Sequence, residues 1–403
     1  MVIIETDNLE IEKELKTLEK LVVEGGGGVH SNVVMRSENG ALSIQTKEPM
    51  KRGREIIRLS RDILLPTDQY DTSVKNNAFS VNFPENSTLS TLQKKLIECM
   101  ITLYNLTDKV SIHKENSFLL SVADYPDLLK LLENGRVLGT NLEDWVQDVQ
   151  QGLSDEKMGE FISETFFKTR HLGYSDYIRG GSAVSILMPI VDFLNHHWLG
   201  AIFNTGQGVR QGDLCVNNSQ PIENNLECHA FYSVMDSFDA LVKYDFIDEF
   251  SPIIRSVPID LDVPDIGTIK INARAGAVCK QKLGKKIIDL NRFMPVMALD
   301  KQKKALTASH LIIPIDGSPK ALRRILYIFL ANMIGNKADE DLYKPWVEEA
   351  ESQILEKNSQ YYKDVQAMVE KLTTEKGSTA GLERIAHLAK LQLKKLAQYK
   401  YPD

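Results

Sequence analysis

The chain has 403 residues, 43% of them hydrophobic and 26% charged, with a formal net charge of -7. That length supports more than one hydrophobic core, and the composition excludes a disordered chain. The acidic balance argues against a chain-wide nucleic-acid footprint, and no apolar run approaches the ~20 residues that span a bilayer.

The first twenty residues are acidic and amphipathic and lack the basic start and apolar centre of a signal peptide. Leu9, Ile11, Leu15, Leu18 and residues 21–23 recur at helical spacing, which predicts a helix over 7–24. Gly25 to Gly28 stop it; without a Gly-Lys-[ST] ending they read as a linker, not a phosphate-binding loop. Short β-branched runs at 33–35, 42–45 and 55–59 predict strands, with Asn39-Gly40 as a hairpin turn. Residues 88–165 turn helical. Ser87 or Ser90 is the expected cap of one helix, and Asp124 and Gly135 are the expected bounds of another.

From 166 to 250 the pattern is mixed. SAVSILMPIVDFL contains a strand, LECHAFYS alternates like one, and SFDALVKYDFIDEF reads as a short helix. SVPIDLDV, TIKINA and SHLIIPID are further strand candidates. The last ninety or so residues are helical: Ser318-Pro319 are placed as cap and first residue of ALRRILYIFLANMI. In the final helix Leu382, Ile385, Ala389, Leu393 and Leu396 form an apolar face, and the basic run from Lys390 to Lys400 reads as its wet side. Four dispersed cysteines (Cys99, Cys215, Cys228, Cys279), with no C-x-x-C pair, point to a reducing compartment without structural zinc; a cytoplasmic location is expected and a nuclear one is compatible.

Three segments have unusual chemistry. In Met188 to His197, Asp192, Asn195, His196 and His197 cluster after Pro189. The alternatives are a turn whose side chains bond their own backbone, a metal site with too few ligands, or a site presenting amides and imidazole to a small ligand. In the second segment, an alternating run ends at Tyr232, with Tyr244 and Phe246 beyond it. In the third, Arg170 follows the aromatics Phe166 and Phe167; its plain reading is a solvated charge.

Taken in order, these segments resemble the SET-domain protein methyltransferases, in the branch typified by the Rubisco large-subunit lysine methyltransferase and the actin-histidine methyltransferase. The residues that carry the resemblance are Thr169-Arg170, then Pro189-Ile-Val-Asp192-Phe-Leu-Asn195-His196, Glu227 to Tyr232, and Tyr244-Asp245-Phe246. Leu138-Gly-Thr-Asn-Leu142 resembles a motif of that branch's helical insertion, and VPIDLDVPD followed by KALRRILYIFL resembles the start of its helical lobe.

The resemblance implies an α+β fold in four parts. They are an N-terminal helix with the first part of a SET β module of short strands (1–87), a helical insertion (88–165), the remainder of the module (166–250), and a mostly helical substrate-binding lobe (251–403). It implies S-adenosylmethionine as cofactor, held by Gly40, Leu42, Arg170, Asp192, Asn195, His196, Tyr244 and Phe246, with Asp192 bracing its turn. Tyr232 would be catalytic, and Leu172, Tyr232 and Tyr244 would line the substrate channel.

The implied partner is a protein or peptide with a target lysine, or a histidine in the close variant; neither nucleic acid nor membrane is expected, and a monomer is. Leu172 stands where the histidine-directed branch has asparagine, which favours an alkyl-ammonium target over a ring that needs a hydrogen bond. The chain departs from the pattern where Ala41 and Ser43 replace glycines of a G-x-G turn, and where Ser233 and Asp245 replace two later glycines. Each added Cβ narrows the approach of backbone to ligand. The alternative is therefore a catalytically degenerate SET-fold protein that acts as a peptide-binding module.

Overall fold

The computed structural model describes residues 2–136, 149, 151–176, 182–206, 210–272, 294–315 and 320–401. The 138–142 motif, the Ser318-Pro319 pair and Cys279 lie outside the described residues. The fold is α+β and divides into two compact units, 1–116 with 152–233, and 117–151 with 234–403. Of the stretch 88–165, residues 88–116 and 152–165 fall in the first unit and 117–151 in the second, which resumes at Val234.

The first unit opens with strand Ile3–Glu5 and helix Leu9–Glu24, whose first turn is capped by the Asn8 side chain accepting from the Glu10 and Ile11 N–H groups. Ile11, Leu15, Leu18, Leu21 and Val22 form its buried stripe, which faces helix Thr91–Leu106. Leu15 and Leu18 are wholly buried, worth roughly 2 kcal/mol each by removal from water. The glycines that follow are not a linker: a Cβ on Gly25 would strike the Ile63 side chain, and one on Gly27 would lie 2.7 Å from Val22 Cγ1 and 2.9 Å from the Arg58 carbonyl oxygen. They form a packed turn, and Gly28 already pairs with Arg58.

Val33–Glu38 and Ala41–Thr46 form the expected hairpin, with Asn39 and Gly40 at φ 49° and 76°, as a two-residue primed turn requires. The Ile3–Glu5 strand adds in parallel to Val33–Glu38. A second sheet runs in the order His196–Thr205, Leu214–Asn217, Glu55–Leu59, Gly28–Val29. A third comprises Leu65–Pro66, Ser182–Leu187 and Leu172–Asp176. A hairpin of Asp71–Lys75 and Ala78–Asn82, absent from the sequence expectation, turns on Asn76 and Asn77, both at positive φ. Ser90, not Ser87, caps helix Thr91–Leu106 through a reciprocal capping box with Gln93.

The run 226–233 is not the continuous strand its alternation suggests. It is an extended segment bonded on both flanks. Cys228 N–H donates to the Ile44 carbonyl (2.7 Å), Ala230 N–H to that of Asn195 (2.8 Å) and Phe231 N–H to that of Ala201 (2.8 Å). Gly200 permits this approach: a Cβ there would sit 2.7 Å from the Ala230 carbonyl oxygen.

The second unit packs helices Phe118–Val122, Pro126–Gly135, Ser237–Tyr244, Lys320–Ile334, Glu340–Lys376 and Ala380–Ala397 with two small sheets. Asp124 does not cap its helix; Tyr125 holds that position without a side-chain bond, and Pro126 opens the helix. Ile325, Leu326, Phe329 and Leu330 of the apolar run after Arg323–Arg324 are core, as its composition predicts. So are Leu382, Ile385 and Ala389 of the last helix, but Lys395 is not on a wet face. It is buried and donates to Ser237 Oγ at 2.8 Å. Beside it the wholly buried Asp236 accepts from Arg136 Nη2 at 2.6 Å and from the Arg255 N–H at 2.8 Å, so the buried charge is both paired and hydrogen-bonded.

Candidate active site

The site forms in the first unit around the turn after strand Ser182–Leu187. Ile190, buried and β-branched, has φ 64° and ψ -44°, and the Val191 N–H donates to the Pro189 carbonyl at 2.7 Å. This is a tight γ-turn in a region that such residues rarely adopt. The turn reverses the chain so that Asp192, Leu194, Asn195 and His196 follow within one short 3-10 turn and the start of strand His196–Thr205.

Asp192 does not bond its own backbone. Its buried Oδ2 accepts from Arg170 Nη1 at 2.8 Å and from the Tyr104 hydroxyl at 2.8 Å. Burial drives its pKa upward, against the pull of the guanidinium and of both hydrogen bonds. Arg170 is therefore not a solvated charge. Its guanidinium carbon lies 4.2 Å from the Phe166 ring centroid and 5.4 Å from that of Tyr104. Its Nε is buried and has no hydrogen-bond partner. That is the geometry of a cation with one face neutralised and another N–H left for an acceptor.

Asn195 is exposed and donates from Nδ2 to Glu227 Oε1 at 2.6 Å. The Glu227 backbone forms an antiparallel β-bridge with Gln45 of the first hairpin. Tyr232 meets the same turn twice: its N–H donates to His196 Nδ1 at 3.2 Å, and its hydroxyl donates to the Leu194 carbonyl at 2.6 Å. The His196 and Tyr232 rings are 5.2 Å apart. An accepting Nδ1 fixes the histidine proton on Nε2.

Strand Ala41–Thr46 packs against the Val191–Phe193 turn, with Leu42 buried in it. The Gly40 carbonyl, at the hairpin tip, accepts from Lys109 Nζ at 2.7 Å. Thus Arg170, Asp192, Asn195, His196 and Tyr232 converge around Leu194, and the Gly40–Leu42 hairpin lies against them. Leu172 opens a strand in this unit, paired with Ile186. A cavity of about 850 Å³ lies on the sheet of that strand, lined by Tyr174, Val184, Ile186, Leu64 and Leu89 among others, and not by the five converging residues.

Tyr244 and Phe246 belong to the second unit, with ring centroids 6.2 Å apart. Between them, Asp245 ends helix Ser237–Tyr244 in the left-handed conformation, φ 60° and ψ 24°. That is a backbone shape glycine favours and aspartate tolerates, and the Asp245 carboxylate accepts from the Phe118 N–H at 2.7 Å. Burial lifts the Asp245 pKa to about 6.

Sequence reasoning missed Tyr104 and Lys109. Tyr104 lies on the buried face of an amphipathic helix, where an aromatic signals packing, and only the tertiary contact reveals its bond to Asp192. Among the described residues no group of three or more His, Cys, Asp or Glu side chains is placed to hold a metal ion, and no helix is long and apolar enough to cross a membrane.

No protein-family model matches the chain, and no curated protein matches it. Among solved structures the chain is similar to the SET domain of LSMT bound to lysine and AdoHcy, with 11% identity and a TM-score of 0.44, over 96% of this chain and 90% of that one. It is also similar to Rubisco LSMT bound to AdoMet, with 12% identity and a TM-score of 0.37, over 96% and 94%. Superposition at those scores is loose. What the site can do follows from its own side chains.

Proposed function

We propose that this chain is a SET-fold protein methyltransferase that uses S-adenosylmethionine to methylate a lysine side chain of a protein substrate in the cytoplasm. The observation that carries the reading is the convergence of Arg170, Asp192, Asn195, His196 and Tyr232 on one turn, since these are the residues in which the sequence resembles that family. The donor set suits the cofactor: the free Arg170 Nε–H fits its carboxylate, and the exposed Asn195 amide and the carbonyls of the turn fit its amino and nucleoside polar groups.

When bound, the cofactor supplies a methyl group activated by a sulfonium. The protein's part is alignment, and orientation alone can account for roughly 7–11 kcal/mol of such a barrier. Asp192 holds Arg170 in place, Glu227 holds the Asn195 amide, and the Leu194 carbonyl fixes the Tyr232 hydroxyl. With its proton committed to that carbonyl, the hydroxyl oxygen keeps lone pairs that accept from an incoming amine. The amine must arrive neutral, and desolvation in an apolar channel lowers a lysine pKa in that direction. Leu172 favours lysine over histidine on the chemical ground given above.

Calorimetry with S-adenosylhomocysteine, followed by incubation of the protein and labelled S-adenosylmethionine with candidate substrate proteins, tests the proposal. Binding at tens of micromolar or tighter and label on a lysine are expected. No binding of the cofactor product overturns it, and label on histidine alone overturns the choice of target.

A further inference from the structure

Lys109 opens helix Lys109–Asn116, and its half-buried side chain reaches the Gly40 carbonyl at 2.7 Å. No carboxylate forms an ion pair with it among the described residues. The groups that act on it are Arg170, just beyond the end of helix Asp155–Lys168, and Asp192, in the turn. Asp192 is already engaged by Arg170 and Tyr104. His113, one turn further along the same helix, is held neutral at pH 7, its pKa brought to about 4 by burial and by Arg170. Two cations thus face one carboxylate, leaving a net positive charge in a largely desolvated place, which calls for an anion.

We propose that Lys109, together with Arg170 Nε–H, binds the carboxylate at the amino-acid end of the methyl donor and so selects donors that carry it. This deepens the methyltransferase reading and rests on it. Lys109 lies at the hairpin tip where that reading brings the donor, and a carboxylate there balances the charge that Asp192 leaves uncompensated. Burial, then the charge of Arg170, lowers the Lys109 pKa to about 8. The lysine is charged below that value and neutral above it, so affinity for a carboxylate falls as pH rises past 8.

The test compares two probes by calorimetry: S-adenosylhomocysteine, which has the carboxylate, and 5′-methylthioadenosine, which lacks the amino-acid end. The Lys109→Met variant should bind the first about tenfold more weakly at pH 7, the scale of a charge-assisted hydrogen bond, and the second as the parent does. Lys109→Arg should keep the parent affinity and hold it to pH 9, which also shows that the position tolerates replacement. A Lys109→Met protein that binds S-adenosylhomocysteine as tightly as the parent, or loses both probes equally, overturns the role of Lys109 and leaves the methyltransferase reading standing. A parent protein that binds neither probe overturns both.

Discussion

Replacing Asp192 with asparagine leaves the shape of the site intact and removes one charge. The Asp192 side chain is 4% exposed and that of Arg170 is 24% exposed. Breaking a buried ion pair from one side costs about 3–5 kcal/mol, because the remaining charge is stranded. The quarter-exposed guanidinium recovers part of this by hydration, so the expected loss is about 2–3 kcal/mol. Packing is not the cause, since asparagine has nearly the same volume and still offers Tyr104 an acceptor.

Urea unfolding at pH 7, with the slope unchanged, measures that loss. Arg170→Gln and the double variant complete a cycle, and because the two side chains touch, their coupling energy should exceed about 1 kcal/mol. Additive losses, or an Asp192→Asn protein within about 0.5 kcal/mol of the parent (the range of neutral surface changes), would refute the argument that this pair anchors the site.

Tyr232→Phe removes the hydroxyl held by Leu194; methyl transfer should slow by about tenfold or more while calorimetry shows unchanged binding of S-adenosylhomocysteine. Gly200→Val puts a branched side chain against the Ala230 backbone, which should cost about 1–3 kcal/mol in urea unfolding and detach the 226–232 segment, seen as faster amide exchange at Cys228 and Ala230. Asp245 binds its proton more tightly folded than unfolded, with a pKa of about 6 against about 3.9, so its contribution to stability falls as pH rises between those values. Asp245→Asn keeps the left-handed backbone and the acceptor for Phe118; it should flatten the stability profile over pH 4–6 and stabilise the protein at pH 7 by about 1–2 kcal/mol, and a profile as steep as the parent's would show that the carboxyl is not strained by burial.

Much of the local structure was legible in the sequence. The Leu9–Glu24 helix announces itself by its apolar stripe, and the Val33–Thr46 hairpin by Asn39-Gly40; the core of the last helix follows from the spacing of Leu382, Ile385 and Ala389. These features depend on residues a few positions apart, which share one face of one element, so periodicity and turn chemistry suffice to find them. The order of Arg170, Asp192, Asn195, His196 and Tyr232 was also visible, though only as a resemblance.

What those residues touch was decided by the tertiary structure. Tyr104 and Asp192 are 88 positions apart and Lys109 and Gly40 are 69 apart, and nothing in the spacing of either residue announces its partner. The same holds for Lys395, whose place in a basic run suggested water but whose ammonium is taken up by Ser237, and for Gly25 and Gly27, whose tight fit comes from Ile63, Val22 and Arg58. A side chain's intrinsic preference is fixed by its chemistry, whereas the burial and charge that decide its role are set by groups the chain brings back from far away, and only the folded arrangement holds that information.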